Sequence, residues 1–223
     1  DMQEIEALAA GLKSFATWNN THTLQQCREA CGGKGYLTEN RIDDLKNDTD
    51  IYTTFEGDNT VLLQLVAKSR LSEFRQEFAN MNLFGMLNYI GNQAKTSLTE
   101  MNPVAVRNTD DDHLMDPEFH LSAFRFRERD ILTSAAKRLK RHIGSGMDSF
   151  DAFNVSQHHL IEVGQAHVER IILEQFQAAI GQVADKGCKA VLNKLCALFA
   201  LSQIEKNKGW YLENGYMEGV KTK

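Results

Sequence analysis

The sequence predicts an all-α fold, and three features of its composition and pattern support this. Of the 223 residues only 2 are proline and 15 are glycine, which is few for a β-sandwich or barrel with many tight turns. Apolar residues recur at helical spacing in several long segments. The hydrophobic fraction of 42% and the charged fraction of 25% are typical of globular proteins. We therefore expect a helical bundle with short loops, followed by a second helical domain.

Charge and residue pattern argue against several classes of protein. The net charge of −5 and the isoelectric point near 5.8 disfavour a nucleic-acid partner, because phosphate binding needs a basic surface. No segment approaches the roughly 18 apolar residues that a membrane-spanning helix requires. The four cysteines lack the CxxC spacing of a zinc knuckle, so we expect reduced thiols and no metal site. No signal peptide is expected from the first residues.

Apolar spacing and capping residues predict a series of helices that one main linker divides. The predicted helices cover residues 3–31, 41–48 (helix or turn), 59–79, a segment ending near 98, about 121–143, about 153–176 and about 185–206. Ser149 or Asp151 is expected to cap the helix over 153–176, and the tail from 209 is expected to be irregular. Both prolines and the acidic run 110–112 lie in residues 99–117. We therefore predict one domain over residues 1–98, a linker over 99–117 and a second domain over 118–223.

The segment Phe55-Glu56-Gly57-Asp58-Asn59 is the first candidate for a catalytic site. Glu56 precedes a glycine at the predicted start of a helix, where backbone amides are free, and glycine lets a ligand approach the backbone closely. A carboxylate base beside amide donors suits the removal of a proton next to a carbonyl group. From these residues alone, an ordinary loop acid that stabilises the helix N-terminus is the favoured alternative. The preceding residues 51–55 resemble a strand in composition, and we expect an extended connector there.

The run Gly32-Gly33-Lys34-Gly35-Tyr36 is the second candidate. Glycine-rich amides can surround a phosphate, but a simple helix end is favoured because the glycines follow a helix.

A basic segment over residues 125–141 is favoured as a solvated face, with a contact to a CoA phosphate or a partner subunit as the alternative. Core or surface positions are favoured over a metal site for one set of polar side chains, His158, His159, Glu162 and His167.

Several segments together carry a resemblance to a known family. They are 27–36 (CREACGGKGY), 39–41 (ENR), 50–62 (DIYTTFEGDNTVL), 204–206 (IEK) and 209–215 (GWYLENG). In this order and at this separation they closely resemble the acyl-CoA oxidases, flavoproteins of the acyl-CoA dehydrogenase superfamily. The resemblance is densest in the first three segments and thin in the middle of the chain.

The resemblance implies an architecture and an activity. Residues 1–98 are similar to the later part of the acyl-CoA dehydrogenase-like C-terminal helical bundle, and residues 118–223 to the domain appended in oxidases. The chain is thus expected to be the C-terminal part of a longer homodimeric enzyme of fatty-acid β-oxidation. Such enzymes introduce a Cα–Cβ double bond into fatty acyl-CoA, transfer hydride to FAD and pass electrons to O2 as hydrogen peroxide. Alone, this chain is expected to be inactive and to bind flavin poorly.

The resemblance also implies roles for individual residues. Glu56 is similar to the family's catalytic base, and Glu56 and Gly57 to its substrate-binding residues, with the Glu56 N–H on the thioester carbonyl. The residues similar to flavin contacts are Glu29, Gly32, Gly33, Asp58 and Asn59. In the dehydrogenase branch a Thr and a Gln usually follow the Glu-Gly pair, so the Asp58-Asn59-Thr60 run favours an oxidase.

Two alternative functions stay open at this point. One is an acyl-CoA dehydrogenase that passes its electrons to a carrier flavoprotein, and the other is a non-catalytic helical module for subunit packing. The expected location is cytoplasmic, or peroxisomal if the source is eukaryotic.

Overall fold

The structure is a computed structural model that describes residues 2–79 and 106–222. Its regular elements are helices, and the described residues contain no strand. The α-helices are α1 Met2–Ala30, α2 Ile42–Asp50, α3 Asn59–Ala79, α4 Asp111–Leu114, α5 Pro117–Gly144, α6 Ser149–Val155, α7 Gln157–Gly181, α8 Lys186–Lys206 and α9 Lys208–Glu213. Short 3-10 helices cover Gly32–Tyr36, Thr38–Asn40 and Ile51–Thr53. The predicted all-α fold is confirmed.

Three local predictions are wrong. The segment from residue 51 forms a 3-10 turn rather than an extended connector, because the Thr54 N–H donates to the Ile51 carbonyl at 3.1 Å. Asp148 caps α6 by accepting from the Phe150 N–H at 2.8 Å, and a break at Ser156 separates α6 from α7. The tail is not wholly irregular, since α9 extends into it as far as Glu213. The predicted segment ending near residue 98 lies outside the described residues.

Contacts divide the chain into two compact units. The first unit comprises residues 1–73 and 131–168, and the second comprises 74–130 and 169–223. Helices α5 and α7 each contribute residues to both units. These units do not coincide with the domains predicted on either side of residues 99–117, part of which lies outside the described residues. The predicted domain boundaries stay a prediction.

Helices of the first unit cross closely at two glycines. A Cβ atom built on Gly164 of α7 would lie 2.5 Å from the carbonyl oxygen of Leu63 in α3. One built on Gly11 of α1 would lie 2.4 Å from Cγ2 of Val168 in α7. Without a Cβ, Gly164 lets the α3 backbone approach α7, and Gly11 leaves room for the Val168 side chain. The glycines therefore bring α1 and α3 onto α7, and α1 and α3 carry the residues around Glu56.

The variant Gly164→Ala should lower the stability of the first unit. Its new Cβ would meet backbone, which cannot move aside as a flexible side chain can, and overpacking of this kind costs about 1–3 kcal/mol. Gly181→Ala is the matched control, because Gly181 lies on the same helix with no atom within 4 Å of its Cβ position. Urea unfolding should show a loss for the first variant only. Equal stability of Gly164→Ala and wild type would contradict the close crossing.

The tail of the chain completes the core of the second unit. Tyr211 of α9 is only 1% exposed, and its hydroxyl donates to the carbonyl oxygen of Ala123 at 3.1 Å. Its ring lies 5.5 Å from that of Tyr216, which in turn lies 4.6 Å from that of Phe126. Burial raises the pKa of Tyr211. The segment that resembles the oxidases near the end of the chain is thus a packing element.

Two helices of the second unit are joined by a buried ion pair. Arg127 of α5 donates to Glu169 of α7 at 2.8 Å, and each side chain is only 8% exposed. Burial raises the pKa of Glu169, and the Arg127 guanidinium opposes that shift. The favoured interpretation of residues 125–141 as a solvated face is therefore wrong for Arg127. The pattern of basic residues does not reveal which of them meets a carboxylate on another helix.

The variant Arg127→Met should destabilise the second unit by about 3–5 kcal/mol, because it leaves the Glu169 carboxylate buried without its partner. The loss should grow as the pH rises through the range in which Glu169 ionises, since the protonated acid carries no charge. Arg125→Met is the control, because Arg125 pairs with Glu174 at 2.9 Å while 54% exposed, and such pairs contribute about 0–1 kcal/mol. Urea unfolding at several pH values measures both. A loss for Arg127→Met no larger than the control would contradict the buried pair.

Candidate functional site

Glu56 lies in a strained turn between the 3-10 helix Ile51–Thr53 and α3. Its φ angle is 56° and that of Gly57 is 104°. A left-handed backbone is rare for a residue other than glycine, and it costs on the order of 1–3 kcal/mol. Such residues cluster at functional sites, where the surrounding structure holds them. The turn therefore marks Glu56 independently of any resemblance.

The reactive groups of Glu56 are free in the described part of the chain. Its side chain is exposed, and neither its carboxylate nor its backbone N–H takes part in a hydrogen bond or ion pair with a described residue. A free carboxylate can accept a proton, and a free N–H can donate to a carbonyl oxygen. Both groups needed for proton removal next to a carbonyl thus belong to one residue.

Asp58 forms the N-cap of α3. Its carboxylate accepts from the Thr60 N–H at 2.9 Å, and its carbonyl oxygen accepts from the Leu62 N–H at 2.9 Å. The hydrogen bond from the Thr60 backbone is the main cause that lowers the pKa of Asp58 below its usual value. Asp is among the residue types favoured at the N-cap of a helix. Its predicted contact with flavin stays a prediction.

Asn59 is buried between α3 and α1, with 1% of its surface exposed. Its Oδ1 accepts from Lys13 Nζ at 2.8 Å, and its Nδ2 donates to Thr17 Oγ1 at 2.8 Å. The Ser14 hydroxyl donates to the Asn59 carbonyl oxygen at 3.3 Å. The amide of Asn59 is therefore occupied within the first unit. Its predicted contact with flavin stays a prediction, while the structure gives it a role in joining two helices.

Lys13, Ser14 and Thr17 are the site residues that sequence reasoning missed. Lys13 Nζ also donates to the Gly57 carbonyl oxygen at 2.6 Å, directly after Glu56. A signal for them exists, because polar residues at positions 13 and 17 lie one helical turn apart and so share a face. From the sequence alone this face is interpreted as solvent-exposed, because only the structure shows its partner in α3.

The variant Asn59→Ala should destabilise the first unit by about 1–3 kcal/mol, because it removes the hydrogen bonds that the buried Asn59 amide makes to Lys13 and Thr17. Asn19→Ala is a matched control on α1, where Asn19 is exposed, and it should change the free energy of unfolding by less than about 0.5 kcal/mol. Urea unfolding of both variants provides the comparison. If Asn59→Ala were as stable as the control, the contact between α1 and α3 would contribute little to the free energy of unfolding.

The glycines after α1 have different roles. Gly32 has a φ of 56° and lies where α1 ends, as expected for a helix C-terminus. Gly35 is buried, and a Cβ atom there would lie 2.1 Å from the Arg28 carbonyl oxygen. Gly33 is exposed with open space around it. The fold therefore explains Gly32 and Gly35 and leaves the Gly33 backbone accessible to a group outside the chain.

The end of α1 is tied to this glycine turn. The Arg28 guanidinium lies 4.8 Å from the centre of the Tyr36 ring and 3.5 Å from the Asp43 carboxylate. Glu29 is exposed, and its carboxylate accepts from Gln25 Nε2 at 2.6 Å. Among the described residues, no hydrogen bond links the 29–33 segment to the 56–59 segment, although both belong to the first unit.

Large apolar side chains flank Glu56 in the sequence and are exposed. They are Tyr52, Phe55, Val61 and Leu65. The Tyr52 and Phe55 rings lie 6.4 Å apart, and contiguous exposed apolar side chains are typical of surfaces that bind a ligand or another part of a protein. The sequence shows these residues, but only the structure shows that the chain leaves them uncovered.

The remaining candidates gain no support as sites. His158 and Glu162 are exposed while His167 is buried, and no group of three potential metal ligands occurs among the described residues. The described cysteines are all free thiols. None of the helices that the structure describes combines the length and apolar character needed to cross a membrane.

Comparisons with known proteins identify the family. The family model "Acyl-CoA oxidase, C-alpha1 domain" matches residues 1–71, and the model "Acyl-CoA oxidase" matches residues 116–223. The peroxisomal acyl-coenzyme A oxidase 2 of Arabidopsis thaliana is 41% identical over 99% of this chain and 32% of its own length. The chain belongs to the acyl-CoA oxidase family. An acyl-coenzyme A oxidase-like protein of Mus musculus is 37% identical over 96% of this chain and 34% of its own length.

Solved acyl-CoA oxidases share the fold. The oxidase from tomato (Lycopersicon esculentum) has a TM-score of 0.82 at 26% identity, covering 99% of this chain and 32% of its own. A Caenorhabditis elegans acyl-CoA oxidase-2, solved with FAD, ascaroside-CoA and ATP, has a TM-score of 0.80 at 22% identity, covering 99% of this chain and 31% of its own. The chain spans about a third of the length of the curated relatives it matches.

Proposed function

We propose that the full-length protein is a FAD-dependent acyl-CoA oxidase of fatty-acid β-oxidation in which Glu56 removes the α-proton of a fatty acyl-CoA. Family membership supports the reaction class. The observation that carries the assignment of the base is the turn at Glu56, where a free carboxylate and a free N–H are held on a left-handed backbone. The part of the protein outside this chain is proposed to supply the other walls of the site.

The chemistry follows from the two free groups of Glu56. Its carboxylate accepts the proton from Cα, while its N–H donates to the thioester oxygen and stabilises the negative charge that develops there. Gly57 allows the thioester to approach the backbone. The exposed apolar residues Tyr52, Phe55 and Val61 supply a surface suited to an acyl chain.

The last turn of α1 and the glycines after it fit a contact with FAD. The open backbone at Gly33 and the exposed side chain of Glu29 are accessible to a flavin held by another part of the protein. The buried amide of Asn59 does not fit a direct contact with FAD, so we propose that it stabilises the turn by holding Lys13 in place. A bound FAD would supply the acceptor for the hydride that leaves Cβ. Oxidation of the reduced flavin by O2 would give hydrogen peroxide as the second product.

The oxidase is favoured over an electron-transferring dehydrogenase by the Asp58-Asn59-Thr60 run and by the names of the matching families. Reoxidation of the reduced flavin by O2 distinguishes the two. We also propose that the full-length enzyme is a homodimer, as the family resemblance implies. Its relatives' names support a peroxisomal location if the source is eukaryotic.

In the full-length enzyme, Glu56→Gln should slow reduction of the flavin by acyl-CoA about 10²–10⁴-fold, because an amide cannot accept the α-proton. Binding of FAD and acyl-CoA should persist, since the backbone N–H is unchanged. Anaerobic mixing with acyl-CoA, followed by bleaching of the flavin absorbance, measures the rate.

The matched control is Glu6→Gln, which changes an exposed acid on α1 and should leave the rate unaltered. Wild-type bleaching in Glu56→Gln would show that Glu56 is not the base.

A further inference from the structure

We propose that Lys13 is a positioning residue for Glu56, whose ammonium group holds the turn in the geometry that proton removal requires. This inference rests on the proposed function. It concerns a side chain on α1, 43 positions before the proposed base, with no contact to the Glu56 carboxylate itself.

The turn is fixed on both sides of Glu56. On the upstream side the Phe55 N–H donates to the Ile51 carbonyl oxygen at 2.8 Å. On the downstream side Lys13 Nζ donates to the Gly57 carbonyl oxygen at 2.6 Å. Among the described residues, Lys13 is the only hydrogen-bond donor to that oxygen. Glu56 is thus held between two hydrogen bonds while its own groups stay free.

The unusual backbone makes the downstream bond important. Glu56 and Gly57 both have φ angles in the left-handed region, and such a conformation persists only where neighbouring groups hold it. Gly57 is conformationally free by itself. Loss of the bond to its carbonyl oxygen should therefore let the Gly57 peptide rotate and change the direction of both Glu56 groups.

The ammonium group suits this position better than a neutral donor would. It carries three hydrogens, of which two reach the Gly57 carbonyl and the Asn59 side chain at 2.6 and 2.8 Å. Hydrogen bonds from a charged donor are short and strong. Asn59 is itself held by Thr17 at 2.8 Å. The position of Nζ is therefore fixed from the α3 side as well as by its own helix.

The test uses the full-length holoenzyme and five variants. Lys13→Met removes the ammonium group and keeps an apolar stem, while Lys13→Arg keeps a charged donor. Lys46→Met is the matched control, because Lys46 is another partly buried lysine of the first unit that pairs with Asp50 at 3.2 Å. Glu56→Gln, alone and combined with Lys13→Met, completes a double-mutant cycle. The readouts are the anaerobic rate of flavin reduction, the acyl-CoA concentration at half-maximal rate, flavin content and Tm.

Lys13→Met should reduce the maximal rate by about 10²-fold, as expected for a displaced catalytic group, with full flavin content. Lys13→Arg should recover most of the rate, and Lys46→Met should match wild type. In the Glu56→Gln background, Lys13→Met should cause little further loss, because both changes act through one group. A purely structural lysine would lower Tm without this non-additive effect on rate.

Three results would overturn the inference. They are a wild-type rate in Lys13→Met, an equal loss in Lys46→Met, or fully additive losses in the double variant. If Lys13→Met did not fold, Lys13→Gln would replace it under the same criteria. A wild-type rate in Glu56→Gln would instead remove the proposed function itself, so the two failures are distinguishable.

Discussion

The contact between α1 and the first turn of α3 is the interaction on which the candidate site depends. Lys13 of α1 donates to the Gly57 carbonyl oxygen in the turn and to the Asn59 side-chain oxygen at the start of α3. Thr17 accepts from the Asn59 side-chain nitrogen, and the Ser14 hydroxyl donates to the Asn59 backbone carbonyl oxygen. The contact is polar and directional, and Ser14 and Asn59 within it are buried, so it fixes geometry more sharply than apolar packing would. The left-handed backbone at Glu56 can persist because this contact holds the residues after it.

Helix packing in the first unit positions the contact between α1 and α3. Gly11 and Gly164 let α1 and α3 approach α7 at distances that a larger residue would prevent, so the helices that carry the turn have a defined position in the first unit. The second unit has its own core, in which Tyr211 and Tyr216 from the tail pack on α5. The buried Arg127–Glu169 pair adds polar specificity there, at a cost in desolvation that its partners must offset.

Much of the fold could be predicted from the sequence, because apolar periodicity reports helices directly. The bounds of α1, α3 and α8 agree with the periodic pattern, and the Asp58 cap agrees with its residue type. The pattern could also single out Glu56 as a candidate. It could not show that the turn is left-handed there, since φ depends on contacts made from another helix.

The missed residues share one cause. Lys13 and Arg127 are charged residues in helices, and a local pattern interprets such residues as solvated. Each instead meets a partner more than 40 positions away in the sequence, and only tertiary structure brings these partners together. The extended connector predicted at residues 51–53 is wrong for another reason. Their β-branched and aromatic side chains favour extended backbone, but local hydrogen bonds fold the segment into a 3-10 helix.

The most direct test of the central claim is a crystal structure of the full-length protein with FAD and an unreactive acyl-CoA analogue. A Glu56 carboxylate oxygen should lie about 3–3.5 Å from the Cα of the thioester, with the Glu56 N–H on the thioester oxygen and Lys13 still bound to the Gly57 carbonyl. A thioester bound away from Glu56, with the turn intact, would contradict the assignment of this residue as the base.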